Sequence, residues 1–447
     1  MNCEKFFFYK EQNFNNKKSS SNFVYVIVDI SGLLQKKEIK QKLKNFIKHE
    51  PRWNKIIKES FFSLYWENNN FDLKKHFFFK NNENYNQHQF INKILNKGLK
   101  KDKPMWKLYM INDAKNTHLI FKCHHIYGDG YYLMKEVFIK YFIDHPLNTN
   151  NILDKNKDKN CIKKCKNKCF IQLLQFKKLF FKVLFFIFIP VFLIFFGFYI
   201  FVCSIKRLFY NFNFENIFDL KKNNKMKSTH LYELDVSKCK ALKNKYGVSM
   251  NSLIHFIIFK TIQNYKNKNI KINYITTFSK NMIKKVEHVN TIPFVEYISM
   301  NEKGNKKTKN KMIINKENKN KIKEVDKIFK NYKLLIYSLT GHTYFSNIYV
   351  YTINKYTKNI FNSIYNSYID YIDVGISNFH SFLKVNKINN KEILNIQNFV
   401  VMHEMKLLFN CCSYDKVINL NIIYQNNILN YKKLRSCLKN VLLELSY

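Results

Sequence analysis

The sequence predicts an α/β protein of two domains with a hydrophobic segment inserted between them. Three observations lead there. A chain of 447 residues is too long for one ordinary core. Runs rich in β-branched and aromatic residues alternate with stretches of helical spacing. Residues 183–205, near the middle, carry no charge at all. Apolar residues make up 46% and aromatics 17%, enough to exclude a disordered chain. With only 9 Gly and 5 Pro, collagen-like and linker-dominated readings fall away.

The elements follow in chain order. Phe23 to Ile30, Phe-Val-Tyr-Val-Ile-Val-Asp-Ile, reads as a buried strand. Ile39, Leu43, Phe46 and Ile47 give the next stretch helical spacing. Leu108 to Ile111 and Leu119 to Cys123 read as two strands joined by Asn112-Asp113-Ala114-Lys115-Asn116, which is turn chemistry. Tyr132 to Phe142 reads as a helix. Thr149 to Lys168 is polar and basic, as a solvated linker would be. The uncharged 183–205 run, at 1.5 Å per residue, reaches ~35 Å, against a hydrocarbon core of ~30 Å. Lys177, Lys178 and Lys182 precede it, and Lys206 and Arg207 follow it. Positive charge at both ends disfavours a simple crossing, and Pro190 and Gly197 suit a bend. The expectation is a hairpin or in-plane membrane insertion that leaves both domains cytoplasmic, at the endoplasmic reticulum or a lipid droplet.

Beyond it, Lys238 to Lys245 reads as a helix ending at Gly247, Met250 to Ile262 as a buried helix, and Asn273 to Phe278 as a strand. Asn301 to Glu324, mostly Asn, Lys and Glu, reads as a mobile surface insertion. Strands are expected at Ile372–376, Phe399–402 and Lys406–411, and a closing helix at Leu434–445. The domain boundaries implied are residues 1–148, a linker and membrane segment at 149–228, and residues 229–447.

The formal charge of +44 invites a nucleic-acid reading. The basic residues are nearly all Lys, with Arg only at 52, 207 and 435, and they spread along the chain beside abundant Asn, Ile, Phe and Tyr. Such a spread reflects codon bias rather than a recognition face, so no nucleic-acid partner is expected, and attraction to anionic lipid is the better consequence. The ten cysteines, with Cys411-Cys412 adjacent, suit free thiols in a reducing compartment, and Met1-Asn-Cys-Glu-Lys is unlike a cleavable signal peptide. Cys161, Cys165 and Cys169 lack a second pair at zinc-site spacing, so no metal site is expected.

The residues that carry chemistry are His124-His125-Ile126-Tyr127-Gly128-Asp129-Gly130, directly after a strand and before a helix. An imidazole titrates near neutrality, so it can take a proton from a hydroxyl and return it to a leaving group. Asp129, across a turn that two glycines permit, would fix the loop.

This run resembles the HHxxxDG signature of coenzyme-A-dependent acyltransferases, the superfamily of chloramphenicol acetyltransferase and peptide-synthetase condensation domains. Further elements resemble the wax ester synthase/diacylglycerol acyltransferase family in sequence order. They are Phe71-Asp72 with His76, Pro104-Met105-Trp106, Asn251 at the start of a buried helix, Asn290 opening a strand, Ser377-Asn378, and Ser413-Tyr414-Asp415. Asn251 is followed by Ser252 rather than Asp, and Ser377-Asn378 by Phe379-His380 rather than Val-Pro-Gly-Pro. Those departures bear on how the second half shapes the acyl and acceptor channels.

The resemblance implies two chloramphenicol-acetyltransferase-like domains with mixed sheets flanked by helices, and a tunnel crossing their interface. It implies transfer of a long-chain acyl group from acyl-CoA to a fatty alcohol or diacylglycerol. His125 would be the base, His124 and Asp129 would shape the loop, and Asn251, Ser377 or Asn378 would supply an oxyanion donor. Pro104, Trp106, Gly130 and Asn290 would line the substrate site, with core packing an equal reading for Pro104 and Trp106. Acyl-CoA is a co-substrate, and no permanently bound cofactor is expected. Two alternatives remain open here: an acyltransferase for a small alcohol or amine, and a catalytically silent membrane-bound member of the same fold.

Overall fold

A computed structural model describes residues 19–20, 22–59, 64–144, 217–218, 225–279, 291–300, 311–338, 372–380, 387–402 and 405–446. The linker, the 183–205 segment and Asn290 lie outside the described residues. No helix among the described residues is long and apolar enough to cross a membrane.

The first half supplies strands β1 (Ser19–Ser20), β2 (Phe23–Ser31), β3 (Lys55–Glu59), β4 (Leu64–Asn68), β5 (Phe77–Asn81), β6 (Leu99–Lys100), β7 (Trp106–Asn112) and β8 (Asn116–His124). Its helices are α1 (Lys36–His49), α2 (Gln87–Leu95) and α3, an α-helical turn Gly130–Tyr132 that runs into a π-helix Leu133–Phe142. The second half contributes β9 (Met226–Asp235), α4 (Val236–Tyr246), α5 (Met250–Lys266), β10 (Ile270–Ser279), β11 (Thr291–Met300) and α6 (Lys311–Ser338). It continues with β12 (Val374–His380), β13 (Lys387–Ile388), β14 (Lys391–Val401), β15 (Leu407–Tyr414), β16 (Val417–Gln425) and α7 (Tyr431–Glu444).

Two six-stranded sheets result, in the orders β13-β14-β2-β8-β7-β5 and β11-β10-β12-β15-β16-β9. Both are mixed, since β5–β7, β10–β12 and β12–β15 run parallel and the other pairs antiparallel. The expected α/β class with mixed sheets holds. β2 lies between β14 and β8, and its Phe23 to Val28 are buried without interruption. A strand buried on both faces needs such a continuous apolar run.

One feature of the topology departs from a clean division into halves. β13 and β14 belong to the second half by sequence but complete the first sheet, with Ile396 opposite Val28 and Val401 opposite Phe23. Residues 1–144 and 217–447 accordingly form one compact unit. The core around the first sheet includes Met226, Leu408, Cys412, Tyr414 and Ile423 from the second.

Paired amides join the sheets. On α2, Asn92 donates to the Ser228 carbonyl (3.0 Å) and accepts from its N–H (2.6 Å), while Asn96 does the same with Met226 at 2.8 Å each way. These residues are one helical turn apart, so one face of α2 satisfies the edge of β9 as another strand would. Asn419 reaches Asn395 (2.8 Å) and Asn421 reaches Gln397 (3.2 Å) between β16 and β14.

Most predicted elements lie where the periodicity put them. α1 buries Ile39, Leu43, Phe46 and Ile47, and α4 ends on Gly247 in the left-handed conformation at φ 66°. The Asn301–324 reading needs correction. Its residues from 311 onward belong to the 28-residue helix α6, which buries Ile322, Val325 and Phe329 on one face. That apolar spacing was diluted by Lys and Asn on the remaining faces. β14 begins at Lys391, well before the expected Phe399, β9 and β16 were not anticipated, and β11 starts at Thr291, next to the Asn290 expected to open a strand. Cys123, Cys239, Cys411, Cys412 and Cys437 are free thiols.

Candidate active site

β8 runs into the loop that bears the histidine pair. His124, fully buried, ends the strand; its N–H donates to the Met105 carbonyl (2.9 Å), and its Nδ1 accepts from the Ile126 N–H (3.1 Å). A ring nitrogen that accepts carries no proton, so His124 bears its hydrogen on Nε2 when neutral. Both bonds lie within the loop and its approach.

His125 begins a short 3-10 turn, His125–Tyr127, and is half-buried. Its N–H donates to the Asn22 carbonyl (3.2 Å), and its own carbonyl accepts from Gly128 (3.2 Å). Burial pushes the imidazole down to about 4, assisted by the neighbouring His124 and opposed by the interaction with its own main-chain carbonyl. Desolvation disfavours the cation. At neutral pH the ring is therefore a free base.

Tyr127 anchors the far side of this turn. Its ring stacks on Trp53 (4.4 Å between centroids), its hydroxyl donates to the Lys55 carbonyl (3.2 Å) and accepts from Met105 N–H (3.2 Å), and its carbonyl accepts from Arg52. Asp129, 3% exposed, caps α3 by accepting from the Tyr132 N–H (2.8 Å). A cap of this kind fixes where the helix starts and hence where the loop ends. Both loop glycines are forced by close approach. A Cβ on Gly128 would lie 2.3 Å from Tyr132 Cδ1, and one on Gly130 would lie 1.9 Å from Asn398 Nδ2 on β14.

The remaining first-half motif residues converge on packing. Trp106 is fully buried, donates its indole N–H to the Trp53 carbonyl (2.6 Å) and stacks on Phe71 and Phe121; its own carbonyl is held by His76 Nδ1 (2.8 Å). Pro104 is buried beside it. The core role of this pair, one of the two readings open from sequence, is the one this geometry supports. The Phe71, His76 and Trp106 elements thus form one aromatic cluster beneath the loop, with ring centroids 4.7–5.8 Å apart.

In the second half, Asn251 and Asn378 do meet: Asn378 Nδ2 donates to Asn251 Oδ1 at 2.8 Å. Asn251 lies in the first turn of α5, where its carbonyl is held by His255 Nδ1 (2.8 Å), and His255 Nε2 meets Thr276 Oγ1 (2.9 Å). Burial pushes His255 down to about 4, so it is a neutral brace. Ser377, beside Asn378 on β12, pairs in register with Asn410 on β15. Asn410 Oδ1 accepts from the Val400 N–H (2.8 Å) on β14, and β14 carries Asn398 to Gly130. A continuous set of contacts therefore leads from the histidine loop to the asparagine pair. The Ser413-Tyr414-Asp415 element forms the β15–β16 turn, with the Tyr414 hydroxyl donating to the Ile393 carbonyl (2.9 Å).

The Ser252 departure has a local counterpart. Its hydroxyl donates to the Asp326 carboxylate (2.7 Å), which also accepts from the Ser249 N–H (2.9 Å), so α6 returns a carboxylate to the start of α5. Sequence reasoning missed Asn22, Arg52, Trp53, Asp326 and Asn398, none of which carries a local motif. Among the described residues no group of His, Cys, Asp and Glu could hold a metal ion.

Solved structures share this fold. The wax ester synthase/diacylglycerol acyltransferase from Marinobacter aquaeolei VT8 superimposes with a TM-score of 0.59 at 12% identity, covering 100% of this chain and 98% of its own. The fold is the one seen in this acyltransferase and in peptide-synthetase condensation domains. Polyketide synthase associated protein 5 from Mycobacterium tuberculosis gives 0.51 at 11% identity over 94% of both chains. A mutant starter condensation domain of the rhizomide synthetase RzmA, solved in complex with C8-CoA, gives 0.52 at 9% identity over 100% of this chain and 94% of that one. No protein-family model and no curated protein matches the sequence. The two-sheet α/β architecture expected from the motifs is thereby shown.

Proposed function

We propose that this chain transfers a long-chain acyl group from acyl-CoA to a lipid hydroxyl, with His125 as general base. The observation that carries the reading is His125 itself: a neutral, half-buried imidazole on a loop held from both sides, ahead of a helix capped by Asp129. The similarity to an acyltransferase over the whole chain, and to a domain solved with C8-CoA, supports acyl-CoA as the donor.

His125 takes the proton of the acceptor hydroxyl as its oxygen attacks the thioester carbon. The tetrahedral oxyanion then needs hydrogen-bond donors. Because Asn251 Oδ1 accepts from Asn378, the Asn251 amide hydrogens point elsewhere, and with Ser377 they are the donors we assign to the oxyanion. Collapse breaks the carbon–sulfur bond, the thiolate takes the proton from the imidazolium, and His125 returns to its free base. No covalent acyl-enzyme is needed.

Labelled acyl-CoA offered to the full-length protein with long-chain alcohols and diacylglycerol tests the reading. Loss of a general base removes about 10²–10⁴-fold in rate, so a His125→Ala variant that keeps near-parent turnover would show the mechanism to be wrong. The lipid side of the proposal rests on the uncharged 183–205 run, read as an in-plane anchor that keeps both halves on one face of the bilayer. Protease protection of tags at the two termini checks this, and termini on opposite faces would overturn it.

A further inference from the structure

Asn398 has no part in the mechanism above, yet its environment is unlike that of a packing residue. It is 4% exposed, and its Oδ1 has no hydrogen-bond partner among the described residues. An amide oxygen removed from water without a donor is costly, and native interiors rarely tolerate one without a water or ligand to meet it. A leucine would fill the same volume without that cost. The amide also lies close against the histidine loop. Its Nδ2 lies where a Cβ of Gly130 would sit, so the residue after the Asp129 cap can only be glycine while Asn398 keeps this position. Two residues along β14, the Val400 N–H is taken by Asn410, whose own Nδ2 likewise has no partner among the described residues and is fully buried. An unmet acceptor on Asn398 and, on the Asn410 that holds Val400, an unmet donor thus lie on the two strands that connect Gly130 to Ser377 and Asn378.

We infer that Asn398 is a specificity-determining residue for the acyl acceptor, its Oδ1 receiving a hydrogen bond from a second hydroxyl of that molecule. The acceptor class this selects is a 1,2-diol lipid, which offers one hydroxyl for reaction and another for recognition, over a plain long-chain alcohol with only the reacting one. The inference rests on the acyl-transfer reading above.

The test compares kcat/KM of the full-length protein for 1-monoacylglycerol and for a long-chain primary alcohol, with acyl-CoA as donor. The parent is expected to favour the diol. Asn398→Leu removes the accepting oxygen and is expected to lower the ratio of the two values about tenfold, the scale of one net hydrogen bond. Asn398→Asp keeps an acceptor oxygen in the same place and is expected to keep the preference. A parent with no preference, an Asn398→Leu variant that slows both acceptors equally, or an Asn398→Asp variant that loses the ratio would each overturn the inference. If Asn398→Leu fails to fold, the Asp variant decides alone. Absence of turnover with every acceptor would instead refute the acyl-transfer reading, so the two failures are distinct.

Discussion

At the scale of single residues, the histidine loop was legible because its chemistry is local: two imidazoles, two glycines and a carboxylate within seven positions. What sequence could not convey was why Gly130 is glycine, since the reason is a side chain far along the chain on another strand. Gly130→Ala puts a methyl group 1.9 Å from Asn398 Nδ2, so the loop or the buried Asn398 side chain must shift. Forcing a methyl group into a packed site costs about 1–3 kcal/mol, so the variant is expected to lose that much stability in urea unfolding and to lose activity as the loop shifts. Parent-like stability would mean that Asn398 yields easily. His125 leads to a pH prediction. A group held at about 4 stays a free base throughout the range in which an ordinary imidazole, near ~6.5, would become protonated. The acidic limb of the kcat/KM profile should therefore fall as pH drops through about 4, and a limb near 6.5 would show that the working ring is better solvated than this.

At the scale of elements, periodicity found the strands and helices with one apolar face and missed those whose buried face is polar. β14 is the instructive case. Its Asn395 and Gln397 meet Asn419 and Asn421 of β16, so half of a well-paired strand reads as polar loop. α6 was hidden for a related reason, since Ile322, Val325 and Phe329 stand among Lys and Asn. α2 shows the same use of amides in a helix. Asn92 and Asn96 occupy both the N–H and C=O of Ser228 and of Met226, groups that would otherwise be buried unpaired at the edge of β9. Leaving such groups unmet costs about 1–3 kcal/mol each. Partial exposure of the asparagines favours the low end, about 1 kcal/mol for each of the four groups, so the double variant Asn92→Ala/Asn96→Ala is expected to lose about 4 kcal/mol, read from the urea midpoint at unchanged slope. A double variant within ~0.5 kcal/mol of the parent would mean that water replaces the amides at that edge.

At the scale of the whole molecule, the order of motifs suggested two α/β halves, and the exchange of a strand between the two sheets was not legible in it. Nothing in the run 391–401 says that its partner is β2 rather than the nearer β15, because pairing is a property of the assembled sheets. The exchange has a thermodynamic consequence. Without β14, the strand β2 loses its pairing from Phe23 to Ile30 and becomes an edge, and the core of the first sheet also loses Met226, Leu408, Cys412, Tyr414 and Ile423. An unpaired edge of continuous apolar residues is a site of aggregation rather than a stable surface. A fragment of residues 1–148 is therefore expected to aggregate or to unfold without a cooperative transition, as followed by circular dichroism. Joining residues 387–402 to it through a flexible linker should restore β2 pairing and raise the sheet signal, though not the full stability, since the core residues of β15 and β16 stay absent. If the fragment alone melts cooperatively at the parent's temperature, the strand exchange contributes nothing to stability. The two halves would then be folding units in their own right, and the contacts that lead from Gly130 through Asn398 and Asn410 to Ser377 would have to form by docking of finished domains rather than within one shared core.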